Sequence, residues 1–157
     1  MNNQFKKIIC PIDFSETSEL ALVQAVTMAE QSGAELILMT VLQPMPPTMF
    51  GDGMLYSEFP PLREEAPKVL QEHLAKLRDK HCAKILERTS LQVEVGVPFA
   101  EIVRHAREVE ADLIVMGSHG RTGIEHLMIG SVAERVVRKA PCSVLVVRDA
   151  KHRFVTP

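Results

Sequence analysis

Residues 112–131 read DLIVMGSHGRTGIEHLMIGS: a short aliphatic run, a glycine-rich turn and the opening of a helix, one after another. The run DLIVM, Asp112 to Met116, reads as a strand covered on both faces. Four of the chain's eight glycines fall between positions 117 and 130. Glycine permits positive φ and leaves no Cβ in the way, so a turn built from it at a strand's end lets backbone N–H groups approach a phosphate. The helix that follows, Ser131–Lys139, offers unpaired N–H groups and partial positive charge at its start. On this reading Gly117, Gly120 and Gly130 supply the turn and the close approach, and Ser131 donates its hydroxyl to a phosphate oxygen. Ser131-Val132-Ala133-Glu134 also reads as a capping box, with Ser131 accepting from the Glu134 amide; that explains Ser131 and Glu134 but not the three preceding glycines.

Outward from this stretch, short aliphatic runs alternate with segments of helical period, the pattern of a parallel sheet joined by crossover helices. KIICPI (7–12) opens the series. A helix starts at Ser15, repeats its apolar residues at Leu22, Ala25, Val26 and Ala29, and ends at Gly33. ELILMTVL (35–42) reads as a central strand. Residues 43–61 hold five prolines, two glycines and three methionines and read as a long surface loop. Val69, Leu70, Leu74, Leu77 and Ile85 form one stripe of a second helix. LQVEVGV (91–97) alternates like a strand near the sheet edge, Pro98 opens a third helix with Phe99, Ile102, Val103 and Ala106 inward, and SVLVV (143–147) is the fifth strand. The prediction is one three-layer, doubly wound α/β domain over residues 1–148, with a tail over 149–157. In such sheets ligands lie beyond the strands' carboxyl ends, where the winding reverses.

Composition narrows the function classes. The 157 residues are 46% apolar and 24% charged, with 18 basic and 20 acidic side chains for a formal charge of 18 − 20 = −2. One core suits this length, and near-neutral charge argues against a nucleic-acid binder. No apolar stretch approaches the roughly 18–20 residues a bilayer requires, and Lys6 and Lys7 precede only a short apolar run, so neither a membrane span nor a signal peptide is expected. The expected address is the cytoplasm. Cys10, Cys82 and Cys142 lack paired spacing and read as reduced thiols, and the histidines show no zinc-ligand spacing.

The glycine string fits neither a P-loop nor a Rossmann fingerprint. Its spacing, G-x2-G-x9-G-[ST] at Gly117, Gly120, Gly130 and Ser131, resembles the nucleotide-binding pattern of the universal stress protein family, ATP-binding subclass. The likeness extends to IICPIDFSETS at the start, VL closing the second strand, the VGVP turn, ADLIVMGSHGRTG and CSVLVVR. The resemblance implies a Rossmann-like adenine nucleotide-binding fold. It also implies that Asp13 and the Val41 backbone meet the adenine, that Met116 and Gly117 meet ribose and base, and that Gly120, Gly130, Ser131 and Val132 hold phosphates. Asp13 has a plainer reading as a turn or capping residue ahead of Ser15, and an acid beside phosphates would repel them. His119 and Arg121 lie inside the loop as additional phosphate contacts.

Two functions follow. One is a stress-response regulatory module that holds ATP, ADP or AMP, with magnesium carried on the nucleotide, and presents a ligand-dependent surface to a protein partner. The alternative is a slow ATPase or nucleotide hydrolase on the same scaffold. Phosphoryl transfer needs charge neutralisation around the transferred group, and between Gly117 and Val132 there is one arginine, no lysine and a single acid, Glu125. A binding module is therefore the expectation, with no catalytic residue. The apolar final strand, Val144 to Val147, has no later element to cover its open side and is expected to join a homodimer, which the resemblance also implies.

Overall fold

Alternation along each strand sends successive side chains to opposite faces of the sheet, and the central strands bury both. The computed structural model describes residues 5–43, 88–120 and 129–149, with helical positions 68, 71, 72, 75, 85 and 87 between them. Its elements run β1 (Lys7–Pro11), α1 (Glu16–Ser32), β2 (Glu35–Leu42), β3 (Thr89–Val95), α2 (Pro98–Glu108), β4 (Leu113–Gly117), α3 (Ser131–Lys139) and β5 (Ser143–Val147). The five strands form one parallel sheet in the order β3-β2-β1-β4-β5. Winding therefore reverses between β1 and β4, as the sequence predicts for an α/β nucleotide-binding fold, and β3 and β5 are the edges.

Each face has its own core. Ile8, Cys10, Leu36, Leu38, Leu113 and Val115 point to the face covered by α1 and by Ile85. Ile9, Ile37, Met39, Ile114 and Met116 point to the face covered by α2 and α3 through Ile102, Val103, Ala106, Ala133 and Val136. On α1 the small side chains Ala21, Ala25 and Ala29 are fully buried, which lets the helix backbone approach the sheet closely. Ser15 caps that helix by accepting from the Ser18 amide, and Gly33 ends it in the left-handed region at φ 74°. Pro98 occupies the first turn of α2, where a missing N–H costs nothing.

The strand and helix limits follow the sequence closely, with three shifts. β1 ends at Pro11, β4 runs on to Gly117, and β3 begins at Thr89 and stops at Val95. The last arises because Gly96 donates its amide to Leu42 O and turns the chain toward Pro98. The 43–61 loop and the stripe at Val69, Leu70, Leu74 and Leu77 lie outside the described residues beyond Gln43, while Ile85 is buried as predicted. Cys10 is buried in β1 and its thiol is pushed far up by desolvation; Cys142 lies just before β5 rather than within it and is also raised, by burial first and then by Asp112. Cys82 is outside the described residues. Among the described residues no helix is long and apolar enough to cross a membrane.

Asp112 fastens the amino ends of the two central strands together. One of its carboxylate oxygens accepts from the amides of Lys6 at 2.8 Å and Lys7 at 2.9 Å. The Lys7 and Lys6 backbone donors hold its pKa below the ordinary carboxylate value. A depressed folded pKa gives stability that is present above the unfolded value, about 3.9, and is lost as pH falls through the folded one. Asp112→Ala is expected to cost about 1 kcal/mol in urea unfolding at pH 7, with the gap from the parent narrowing as pH falls below about 4. A gap that stays constant from pH 7 to pH 2.5 contradicts this role for the charge.

Candidate functional site

The carboxyl ends of β1 and β4 open onto the reversal point, and the turns leaving them carry most of the predicted residues. After β1 the chain turns sharply: Phe14 sits in the left-handed region at φ 66°, a conformation that costs a side-chain-bearing residue about 1–2 kcal/mol. Asp13 holds that turn. Its Oδ1 accepts from the Ser15 amide at 3.1 Å and from the Ser15 hydroxyl at 2.6 Å. The turn-residue reading of Asp13 is thus realised, and it leaves Oδ2 facing the glycine turn. A Cβ built on Gly120 would lie 2.6 Å from that oxygen.

The turn after β4 is fastened at three points. The Ser118 amide donates to Val147 O at 2.8 Å, and Ser118 O accepts from the Gly130 amide at 2.7 Å. The Thr17 hydroxyl, on α1, donates to the carbonyl of His119. Ser118 is buried, and its hydroxyl lies 3.0 Å from Nδ1 of the His119 ring.

These contacts change the reason for each glycine. Gly117, Gly120 and Gly130 all avoid the left-handed region, so positive φ is not what they supply. What each supplies is space, and the chain itself fills it. At Gly117 a Cβ would meet the Thr17 carbonyl carbon at 2.8 Å, and at Gly130 it would meet Ser118 O at 3.0 Å and His119 Cα at 3.4 Å. At these three positions the start of α1, the Asp13 carboxylate and the turn's own main chain already stand where a Cβ would go.

The capping box at Ser131 does not form. Gly130 is the N-cap of α3, no side chain among the described residues caps the helix, and Ser131 is its exposed first residue. The Glu134 amide instead donates to Gly130 O at 2.9 Å. The helix begins one residue earlier than a serine cap requires because Gly130 already has extended dihedrals, φ −72° and ψ 154°. First-turn amides lack intrahelical acceptors by geometry, and among the described residues no side-chain cap serves those of Ser131, Val132 and Ala133. Arg138 pairs with Glu134 on the helix surface, drawing that first-turn acid along the helix.

The structure therefore brings Asp13, Gly120 and Gly130 into one contact chain, with Ser131 and Val132 next along α3. Val41 and Val132 are half-buried against the cluster that contains Met116, so these three share the α2/α3 face of the sheet. Val41 lies two residues past Met39, whose carbonyl accepts from the Ile12 amide beside Asp13. Arg121 lies outside the described residues. Sequence reading missed Ser15, Thr17 and Ser118 as parts of this site; the only signal was the run of hydroxyls in SETS and in GSHG, which also suits an ordinary helix start and turn.

Comparison with known proteins agrees with this architecture. The profile of the universal stress protein family matches residues 4–148. The universal stress protein MJ0531 of Methanocaldococcus jannaschii is 38% identical over 152 residues, covering 95% of this chain and 85% of the relative. MJ0577 of the same organism is 33% identical over 159 residues, covering 94% of this chain and 98% of the relative. Its solved structure superposes with a TM-score of 0.75 over 98% of this chain and 99% of that one, at 32% identity. A universal stress protein solved in complex with cAMP gives a TM-score of 0.66 at 26% identity, over 93% of this chain and 98% of that one. With the profile spanning every strand of the sheet and relatives above 30% identity over nearly the full chain, this chain belongs to the universal stress protein family.

Proposed function

We propose that this protein binds an adenine nucleotide, ATP, ADP or AMP, in the crevice beyond the carboxyl ends of β1, β2 and β4, and acts in the cytoplasm as a nucleotide-sensing module of the stress response. The observation that carries it is the start of α3: a glycine N-cap with no side-chain cap among the described residues, whose amide is bonded to the turn in which Gly120 lies against Asp13, followed by first-turn amides that have no intrahelical acceptor. Such an end is suited to an anion. Gly120, Gly130, Ser131 and Val132 hold the phosphates in this reading, while Val41, Met116 and Gly117 border the base and ribose, with His119 and Arg121 as further loop contacts. Asp13 reaches the adenine side from its place against Gly120. Its carboxylate is close enough to the phosphate turn that magnesium carried on the nucleotide would offset the repulsion. The relative solved with cAMP supports an adenine ligand for the fold.

A slow ATPase is the second reading, and the same experiment separates the two. Protein purified without added nucleotide is denatured and the released small molecule identified by mass; calorimetry with ATP, ADP and AMP, with and without magnesium, then gives affinities. Product analysis over hours reports hydrolysis. A bound adenine nucleotide without turnover is expected, and no heat at millimolar ATP overturns the reading. β5 is an edge strand with Leu145 36% exposed, and we assign Val144 to Val147 as the seam of a homodimer. Light scattering is expected to give twice the 17.5 kDa chain mass, and a monomer at micromolar concentration removes that seam.

A further inference from the structure

We propose that Thr17 is a positioning residue that ties the base end of the crevice to its phosphate end; the proposal rests on the nucleotide-binding reading above. Thr17 is the second residue of α1, and nothing in a helix start requires a hydroxyl there, because Ser15 already supplies the cap. Where a threonine in this helix has a purely local partner, it bonds back along the helix, as Thr27 does to Val23 O at 2.9 Å. Thr17 instead reaches across to the carbonyl of His119, in the glycine turn after β4.

Its hydroxyl stands beside the Asp13 turn. The Ser15 hydroxyl donates to Asp13 Oδ1 at 2.6 Å while Thr17 donates to His119 O, so the Ser15 and Thr17 oxygens, 3.3 Å apart, are neighbours whose protons go to opposite sides. The residue after His119, Gly120, comes back against Asp13 Oδ2, so the start of α1 and the turn after β4 meet at both places. Ser118 is fixed separately, to β5 and to Gly130. Thr17 is thus the tether from α1 to the part of the turn that lies between those anchors and Asp13. Losing it leaves the fold's other contacts in place and removes a hydrogen bond that fixes His119 and Gly120 relative to Gly130 and the start of α3. Binding by fixed backbone donors depends on such second contacts, because donors that wander lose geometry.

Thr17→Val is nearly isosteric and removes only the hydroxyl. ATP and AMP are expected to bind about tenfold more weakly to it by calorimetry, with the urea midpoint changed little. Adenosine, which lacks the phosphate, is expected to bind within about twofold of the parent by NMR titration. Thr17→Ser, which keeps the hydroxyl, restores ATP affinity. Should valine disturb the helix start, Thr17→Ala gives the same readout. Parent-like ATP affinity in Thr17→Val or Thr17→Ala overturns the proposal and leaves the nucleotide reading intact, as does an equal loss for ATP and adenosine or a Thr17→Ser variant as weak as valine. A parent protein that binds neither nucleotide nor adenosine overturns both.

Discussion

Gly130→Val is expected to bind ATP at least about 100-fold more weakly than the parent, a loss of about 2.7 kcal/mol, while keeping its far-ultraviolet circular dichroism. The backbone at Gly130, φ −72° and ψ 154°, is one that valine adopts freely, so the effect does not come from dihedral strain. It comes from space. A Cβ there meets Ser118 O at 3.0 Å and His119 Cα at 3.4 Å, both main-chain atoms, and the Gly130 amide is simultaneously bonded to Ser118 O at 2.7 Å. A side chain on the far end of a flexible stem would swing away; main chain held by hydrogen bonds must move as a unit. The two extra methyls of valine then push the turn after β4 away from the start of α3, and the amides of Ser131, Val132 and Ala133 lose their relation to Gly120. Gly130→Ala, with one methyl, is expected near tenfold. Calorimetry with ATP reads both, and a valine variant that binds like the parent removes the phosphate role of this junction.

The same residues show how far the sequence carries. The short, near-continuous aliphatic runs KIICPI, ELILMTVL and DLIVM, separated by segments of helical period, were enough to give the sheet, because strands buried on both faces carry apolar side chains on both rather than alternately. The glycine spacing marked the turn that the fold brings against Asp13 and the start of α3. The physical reason for it was not legible, since a glycine required by positive φ and one required by crowding look alike in sequence. Crowding depends on what arrives from elsewhere in the chain: Thr17 from α1, Asp13 from the turn after β1, Ser118 from the turn's own far side. The alternative reading of Ser131 as a cap fails for a related reason. A cap is decided by which residue has the last extended dihedrals, and a shift of one position moves the hydroxyl from the cap into the helix. Asp13 was legible as a turn residue, yet its second oxygen lies against the very turn that sequence reasoning assigned to phosphates. That juxtaposition is tertiary, between segments more than a hundred residues apart, and leaves no local pattern.

Gly117→Val is expected to lower stability of the ligand-free protein by about 3 kcal/mol, the upper part of the usual range for overpacking a tight site. For a domain of this size that corresponds to a fall in Tm of roughly 6–12 °C. The Cβ would stand 2.8 Å from the Thr17 carbonyl carbon, 2.9 Å from Thr17 Oγ1 and 3.0 Å from the Ser18 amide nitrogen. These atoms form the first turn of α1, which is held down along its length by Ala21, Ala25 and Ala29 against the sheet, so they have little room to retreat. β4 is equally confined, paired to β1 on one side and to β5 on the other, with Gly117 itself opposite Val147. Gly120→Ala is the control. Its Cβ also meets an atom too closely, Asp13 Oδ2 at 2.6 Å, but that atom ends a side chain rather than belonging to main chain, so the carboxylate can tilt away at the expense of its Ser15 hydrogen bonds, and the cost is expected at about 1 kcal/mol. If thermal unfolding of the ligand-free variants ranks them in this order, the glycines of one motif divide by what lies behind them: Gly117 serves the packing of α1 on β4, and Gly120 the spacing between Asp13 and the phosphate turn. Equal destabilisation, or a Gly117→Val variant as stable as the parent, would mean that α1 does not press on the end of β4 as the short contacts require.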